Sequence, residues 1–474
     1  MTGTRTFNDP AEPVTTTDSG PVMGRRRAGV ASFLGIPYAA PPVGELRFAA
    51  PSRPQPWRGV RDATAFGPAS VQEQSAKELV PKVIPGVDED CLTVNVWTPA
   101  AEPGEGLPVI VWLHGGGFAV GSASARCYSG EKLARRGAVV VGVNYRLGAL
   151  GYLYLPPEAA VGGIRANFGL LDQVRALEWV RDNAAAFGGD PNRVTVVGQS
   201  AGAYSILALG TMEQAQPLFH RAVLQSAPFA VDDHDLDIAE KATSVFLTAA
   251  GIPDAGRTEL LELSPAQILR AQRATFDQWT GAGPLDRPFV PVVDGKTLTA
   301  KPAQAAFEGS LDHLDLLVGC TADEALFLLP NASRSGGGEE ETRRLGAKIG
   351  GLFAEGVFRL GEHRALMGRP ARVFRWRWPS GGEEGLGACH CAELPFLFGD
   401  LNQWSGSPLL RHGTADDHNY LVETVQRAWV SFSLTGDPDP AGRLGWAPYT
   451  VDGQQTLVFD VPVEQAPAPR EWVR

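Results

Sequence analysis

Cysteine is scarce in this chain: five among 474 residues, at Cys91, Cys127, Cys320, Cys389 and Cys391. So odd and scattered a set makes no disulfide framework and points to a reducing, cytoplasmic setting. Long apolar runs are missing too. No stretch of about 18 apolar residues offers a membrane span, and the opening segment MTGTRTFNDPAEPVTTTDSGPVMG has no apolar core of signal-peptide type. Cations are in the minority, with 42 Lys plus Arg against 53 Asp plus Glu and a formal charge of −11. That balance disfavours nucleic acid and anionic lipid surfaces as partners, and it favours neutral small molecules over anionic ones. Oligomeric state is left open between monomer and homodimer.

What the chain has in surplus is glycine (55) and proline (37), hence many turns and loops on a scaffold. Short apolar runs recur, each followed by a Gly-rich turn and an amphipathic segment. Strands are expected at Leu92–Trp97, Val109–Leu113, Ala138–Asn144, Val194–Val197, Ala222–Leu224, Leu314–Val318 and Arg372–Trp376. Several are continuously apolar and Val-rich, as strands buried on both faces should be. Helices are expected at Phe168–Phe187 and Tyr420–Leu434, stopped by Gly188-Gly189-Asp190-Pro191 and Gly436-Asp437-Pro438. The alternation predicts an α/β fold, a mainly parallel central sheet flanked by helices. Regions of about 228–312 and 325–370 read as helical insertions covering the site, so that 1–474 forms one catalytic domain.

Gly198-Gln199-Ser200-Ala201-Gly202 follows the Val194–Val197 strand and leads into a helix-like Ala201–Leu209. A serine on so sharp a strand-to-helix turn is left exposed at a helix N-terminus, between neighbours small enough to relieve the crowding. His114-Gly115-Gly116-Gly117-Phe118 follows the Val109–Leu113 strand. Its glycines let backbone N–H groups turn toward the oxyanion that forms when a carbonyl is attacked. The run lacks the Lys-Ser/Thr of a phosphate loop.

Serine needs a base and an orienting acid, expected in the order Ser, then Asp or Glu, then His. Seven of the eight histidines follow Ser200. Among them His390 stands out in Cys389-His390-Cys391-Ala392-Glu393, and the acid is sought in Gly319-Cys320-Thr321-Ala322-Asp323-Glu324, directly after a strand. Cys389-His390-Cys391 has no second ligand cluster to complete a tetrahedral metal site, so neither metal nor organic cofactor is expected.

These segments together resemble the type-B carboxylesterase family, which includes bacterial p-nitrobenzyl esterases, animal carboxylesterases and cholinesterases. The likeness runs nearly end to end. It includes Phe33–Ala39, Leu46-Arg47-Phe48, Glu89–Val96, His114–Phe118, Asn144–Gly148, Phe187–Pro191, the Ser200 turn, Leu394-Pro395-Phe396 and Thr435–Pro438. The resemblance implies an α/β-hydrolase fold and hydrolysis of neutral carboxylic esters through an acyl-enzyme. It assigns Ser200 as nucleophile, His390 as general base and acid, and Glu324 as the triad carboxylate. Gly116, Gly117 and Ala201 become the oxyanion donors, Gln199 and Ser226 lie close behind, and Arg47 and Glu89 form a structural ion pair. Carbamates or aryl amides are the alternative substrates, and a non-catalytic adhesion module is the less favoured reading of the same fold.

The departures are informative. Ala69 stands where the family's partner cysteine for Cys91 would be, Gln199 where a glutamate is common, and Ala325 where a glycine follows the acid. Phe118, Trp279, Phe327 and Phe353 are candidates both for pocket lining and for plain core packing.

Overall fold

The computed structural model describes residues 12–73, 79–81, 83–99, 104–230, 234–254, 256–280, 285–328, 339–381 and 385–470, the side chains of 339–343 and 345 excepted. Its strands are β1 (Val14–Thr17), β2 (Gly20–Met23), β3 (Arg25–Arg27), β4 (Val30–Pro37), β5 (Arg61–Asp62), β6 (Thr93–Thr98) and β7 (Leu107–Leu113). They continue with β8 (Val139–Val143), β9 (Gly189–Gln199), β10 (Arg221–Gln225), β11 (Asp315–Thr321), β12 (Arg372–Trp376), β13 (Gln455–Phe459) and β14 (Glu464–Pro467). β1, β2 and β5 form a small sheet, and the other strands one large sheet in the order β14-β13-β12-β11-β10-β9-β7-β8-β6-β4-β3. From β13 to β8 every pairing is parallel. The antiparallel pairings lie at the two edges.

All seven expected strands are present, and the ones not anticipated are β13 and β14 on one side of the large sheet, β4 and β3 on the other, and the three strands of the small sheet. The central strands are apolar at consecutive positions because both faces are covered. Val109, Val111, Val194, Val196, Leu316 and Val318 point into one cluster. Ile110, Trp112, Val197, Val223, Leu317, Phe374 and Trp376 point into another. The first is mainly aliphatic, and the second is crowded with rings, such as Trp112 on Phe398 at 5.0 Å and Phe374 on Trp429 at 5.3 Å.

The principal helices are α1 (Phe168–Asn183), α2 (Ala201–Leu209), α3 (Leu236–Ala249), α4 (Pro265–Gln278), α5 (Glu339–Leu366) and α6 (Ala415–Thr435). α1 continues as a 3-10 turn to Phe187 and stops at Gly188, whose φ is 81°. α6 begins with a capping box between Thr414 and Asp417 and stops at Gly436, φ 80°. α1 is buried on nearly every side. Its Asp172 is fully buried and takes a bidentate pair from Arg146, Nη2–Oδ1 2.7 Å and Nε–Oδ2 2.8 Å. Arg47 and Glu89 pair at 2.6 Å as the resemblance implies, and Arg47 Nη1 also donates to the Leu261 and Leu263 carbonyls at 2.9 and 2.6 Å. That ties the segment leading into α4 to the body of the fold.

The sheet register sets the site. Leu113 of β7 pairs with Gly198 of β9, Gln199 with Gln225 of β10, and Gln225 with Gly319 of β11. The carboxyl ends of these strands therefore stand side by side. From them emerge the Gly-rich loop, Ser200, Ser226 and Glu324, at the edge where open α/β sheets place ligands. Among the described residues no helix is long and apolar enough to cross a membrane.

Candidate active site

Ser200 sits between β9 and α2 with φ 55° and ψ −123°. A side chain other than glycine at such a positive φ stores about 1–3 kcal/mol of strain. The turn is held by a bond from the Ser200 N–H to the Gln225 carbonyl at 2.9 Å. It also depends on its glycines. A Cβ at Gly202 would lie 2.0 Å from the Leu113 carbonyl oxygen, and one at Gly198 2.4 Å from the Gly202 carbonyl. The spacing of small residues around Ser200 is thus a close approach of backbones.

The loop after β7 packs directly on this turn. A Cβ at Gly115 would fall 3.0 Å from the Ser200 Cβ, and one at Gly116 (φ 123°) 1.9 Å from the Val120 carbonyl oxygen. His114 braces the loop from behind, its ring stacked on Tyr145 at 4.4 Å while the Tyr145 hydroxyl donates to the His114 carbonyl at 2.6 Å. Phe118 is buried edge-on against Tyr152 (5.0 Å) and Tyr204 (5.9 Å). It is a core residue. The N–H groups of Gly116, Gly117 and Ala201 take no protein acceptor among the described residues.

His390 Nδ1 lies 2.5 Å from Glu324 Oε2, and both side chains are almost fully buried. Glu324 Oε1 accepts the Thr321 N–H at 2.7 Å, which fixes the carboxylate's orientation. The neighbouring acid has a different task. Asp323 accepts the Ala388 N–H on its Oδ2 at 2.8 Å, and its own N–H donates to the Ala388 carbonyl at 3.0 Å. It staples the loop carrying His390 to the loop carrying Glu324. Phe327 stacks on the His390 ring at 5.1 Å and 14°, and Phe353 meets it at 5.1 Å and 48°. Phe327 follows β11, and Phe353 lies on α5. Trp279 lies elsewhere, tilted on His234 at 5.7 Å and donating to Asp286 at 3.2 Å.

His390 Nε2 is 3.0 Å from Gln199 Nε2. With the Gln199 amide N–H as donor, Nε2 accepts and the ring proton lies on Nδ1, facing Glu324, the arrangement a general base needs. The imidazole does not bond Ser200 among the described residues; it is held by the residue next to it. Ser226 is buried with φ 51°, and its N–H donates to the Gly319 carbonyl at 2.8 Å, joining adjacent strand ends.

Glu393 is a further acid in the surroundings of His390 and Glu324. It is buried, Gln225 Nε2 donates to its Oε1 at 2.9 Å, and its Oε2 has no partner among the described residues. Burial lifts its carboxyl to about 7, with the Glu324 charge adding to the effect. The legible signal was an acid inside the apolar run Ala392–Phe396. Burial also pushes the Cys91 and Cys389 thiols up to about 12, so they persist as inert thiols. None of the five cysteines forms a disulfide.

The sequence pattern of the carboxylesterase family matches residues 11–349. The chain is 36% identical to the para-nitrobenzyl esterase of Bacillus subtilis strain 168, over 94% of each protein. It is 35% identical, again over 94% of each, to the phenmedipham hydrolase of Pseudarthrobacter oxydans. A solved PNB esterase structure superposes with a TM-score of 0.87 at 32% identity, covering 97% of this chain and 98% of that one. An α/β-hydrolase architecture shared from end to end, with this degree of identity, makes the protein a carboxylic ester hydrolase belonging to the carboxylesterase family.

Proposed function

We propose that hydrolysis runs as two-step acyl transfer on a Ser200–His390–Glu324 triad. The observation that carries this reading is the buried 2.5 Å contact of His390 with Glu324, beside a serine held at φ 55°. His390 exchanges its bond with Gln199 for one with Ser200 Oγ and takes the proton as Oγ attacks the ester carbonyl. The N–H groups of Gly116, Gly117 and Ala201 receive the oxyanion. His390 then protonates the leaving alcohol, and water activated by the same imidazole releases the acid. Glu324 holds the tautomer and stabilises the imidazolium without itself taking the proton.

We read 1–474 as one catalytic domain, supported by strands from both ends of the chain joining the same sheet. Five cysteines without a disulfide among them support a reducing, cytoplasmic setting. Ser200→Ala is expected to fold normally, judged by circular dichroism and melting, and to lose p-nitrophenyl acetate turnover and fluorophosphonate labelling together. Near-normal turnover by that variant would overturn the assignment.

A further inference from the structure

The deeply buried arginines are each neutralised by a carboxylate: Arg47 by Glu89, Arg146 by Asp172, Arg175 by Glu178 and Arg364 by Asp312. Arg287 is different. It is partly buried, and burial pushes its guanidinium below the ordinary arginine range. It makes no ion pair or side-chain hydrogen bond among the described residues. The adjacent Asp286 is turned to Trp279 Nε1 at 3.2 Å and His234 Nε2 at 3.4 Å.

The backbone around Arg287 is pinned. Phe289 is wedged between Phe246 and Phe276, each at 5.8 Å, and the Val292 N–H donates to Asn167 Oδ1 at 2.8 Å. From that anchored segment the side chain reaches the Gly-rich loop. A Cβ at Gly117 would lie 3.1 Å from Arg287 Nε and 3.6 Å from its Cζ. The bare Gly117 leaves room for a guanidinium directly against the loop assigned to the oxyanion.

We propose that Arg287 is a specificity-determining residue that receives a carboxylate carried by the substrate, so that the preferred esters bear a free acid group besides the ester carbonyl. This rests on the proposed reading of Ser200 and the Gly116–Gly117 loop. A planar guanidinium is suited to bidentate capture of a carboxylate. The folded enzyme has already removed much of its water, so a matching anion gains more than it would from a solvated cation. The overall charge of −11 argues for neutral esters only at long range. At physiological ionic strength its reach is about 8 Å, so the cation at the site decides.

The test compares matched esters: mono-p-nitrophenyl glutarate against p-nitrophenyl valerate for an acid on the acyl side, and 4-acetoxybenzoate against phenyl acetate for one on the alcohol side. In at least one pair, Arg287→Met is expected to lower the anionic-to-neutral ratio of kcat/KM by about 30-fold or more, chiefly through KM. Arg287→Lys restores part of the ratio, and the responding pair shows which side carries the acid. Raising salt lowers the wild-type ratio in the same pair. An unchanged ratio in both pairs, or equal losses on anionic and neutral esters, overturns the inference and leaves Arg287 a structural or oxyanion-directed cation. Fluorophosphonate labelling separates the two levels. Wild-type enzyme labelled on Ser200 but indifferent to Arg287 refutes this inference alone, whereas absence of Ser200 labelling refutes the catalytic reading and this one with it.

Discussion

His390 with Glu324 and His363 with Asp312 are chemically the same pair in two places. The first has its ring nitrogen 2.5 Å from a carboxylate that is 1% exposed; the second spans 3.2 Å to a carboxylate that is 27% exposed and shared with Arg364. Distance is the lesser contrast. His390 stands beside the carboxyl ends of β9 and β11, held by Gln199, Phe327 and Phe353. His363 lies on α5, and its Asp312 partner is in the turn that precedes β11 at the opposite end of that strand. In the proposed mechanism, a histidine–carboxylate pair acquires a catalytic use from the strand end where it is placed.

Removing the acid from each pair breaks the comparison most directly. Glu324→Gln is expected to lower kcat by about 10³–10⁴-fold, since the tautomer is no longer enforced. Asp312→Asn is expected to leave kcat/KM within about 2-fold and to appear in melting temperature instead, because Arg364 loses its counter-charge. Steady-state kinetics and thermal melts on both proteins separate these outcomes. Equal kinetic losses would mean that place in the fold does not distinguish the pairs.

A finer version alters the support of the proposed catalytic pair without touching it. Asp323→Ala leaves the Ala388 N–H without its carboxylate, a cost of about 1–3 kcal/mol borne by the loop that presents His390. An approximately 10-fold fall in kcat with little change in KM is expected, and unchanged kinetics would remove Asp323 from any positioning role.

The smallest effect concerns pH. Glu393 keeps its proton in the fold up to about 7, whereas in the unfolded chain it ionises near the ordinary glutamate value of about 4.3. The native state therefore binds more protons across that window, so this group's contribution to stability falls as pH rises through about 7. Glu393→Gln should melt a few degrees above the wild type at pH 8 and no higher at about pH 4, below the unfolded glutamate value. A gain at both pH values would mean that packing, and not ionisation, is the cause.

The parallel centre of the sheet was legible because Val109–Leu113 is apolar at every step and Val194–Val197 at every step but Thr195, a pattern that double burial rewards. The edges were not. β3 is Arg25-Arg26-Arg27, exposed throughout, and β14 is Glu464–Pro467, mostly exposed. Neither carries periodicity, and each is a strand only because a neighbour offers backbone partners. Ser200 was legible because its turn demands glycines at fixed offsets. Asp323 and Glu324 were not separable from local residues, since both follow β11 and differ only in what tertiary packing brings to each. Arg287 carried no signal at all: lacking a counter-charge is a property of three-dimensional surroundings.

The unequal make-up of the sheet's two faces has a practical side. Seven of the chain's eleven tryptophans, Trp97, Trp112, Trp429 and Trp446 among them, belong to the ring-rich layer. The aliphatic layer that seats α2 behind Ser200 has Trp179, with Trp57 at its margin. Intrinsic fluorescence therefore watches one side of the molecule. Loosening of the α2 side would be nearly dark to it, and a p-nitrophenyl ester assay run alongside the emission signal would register inactivation that the indoles do not see.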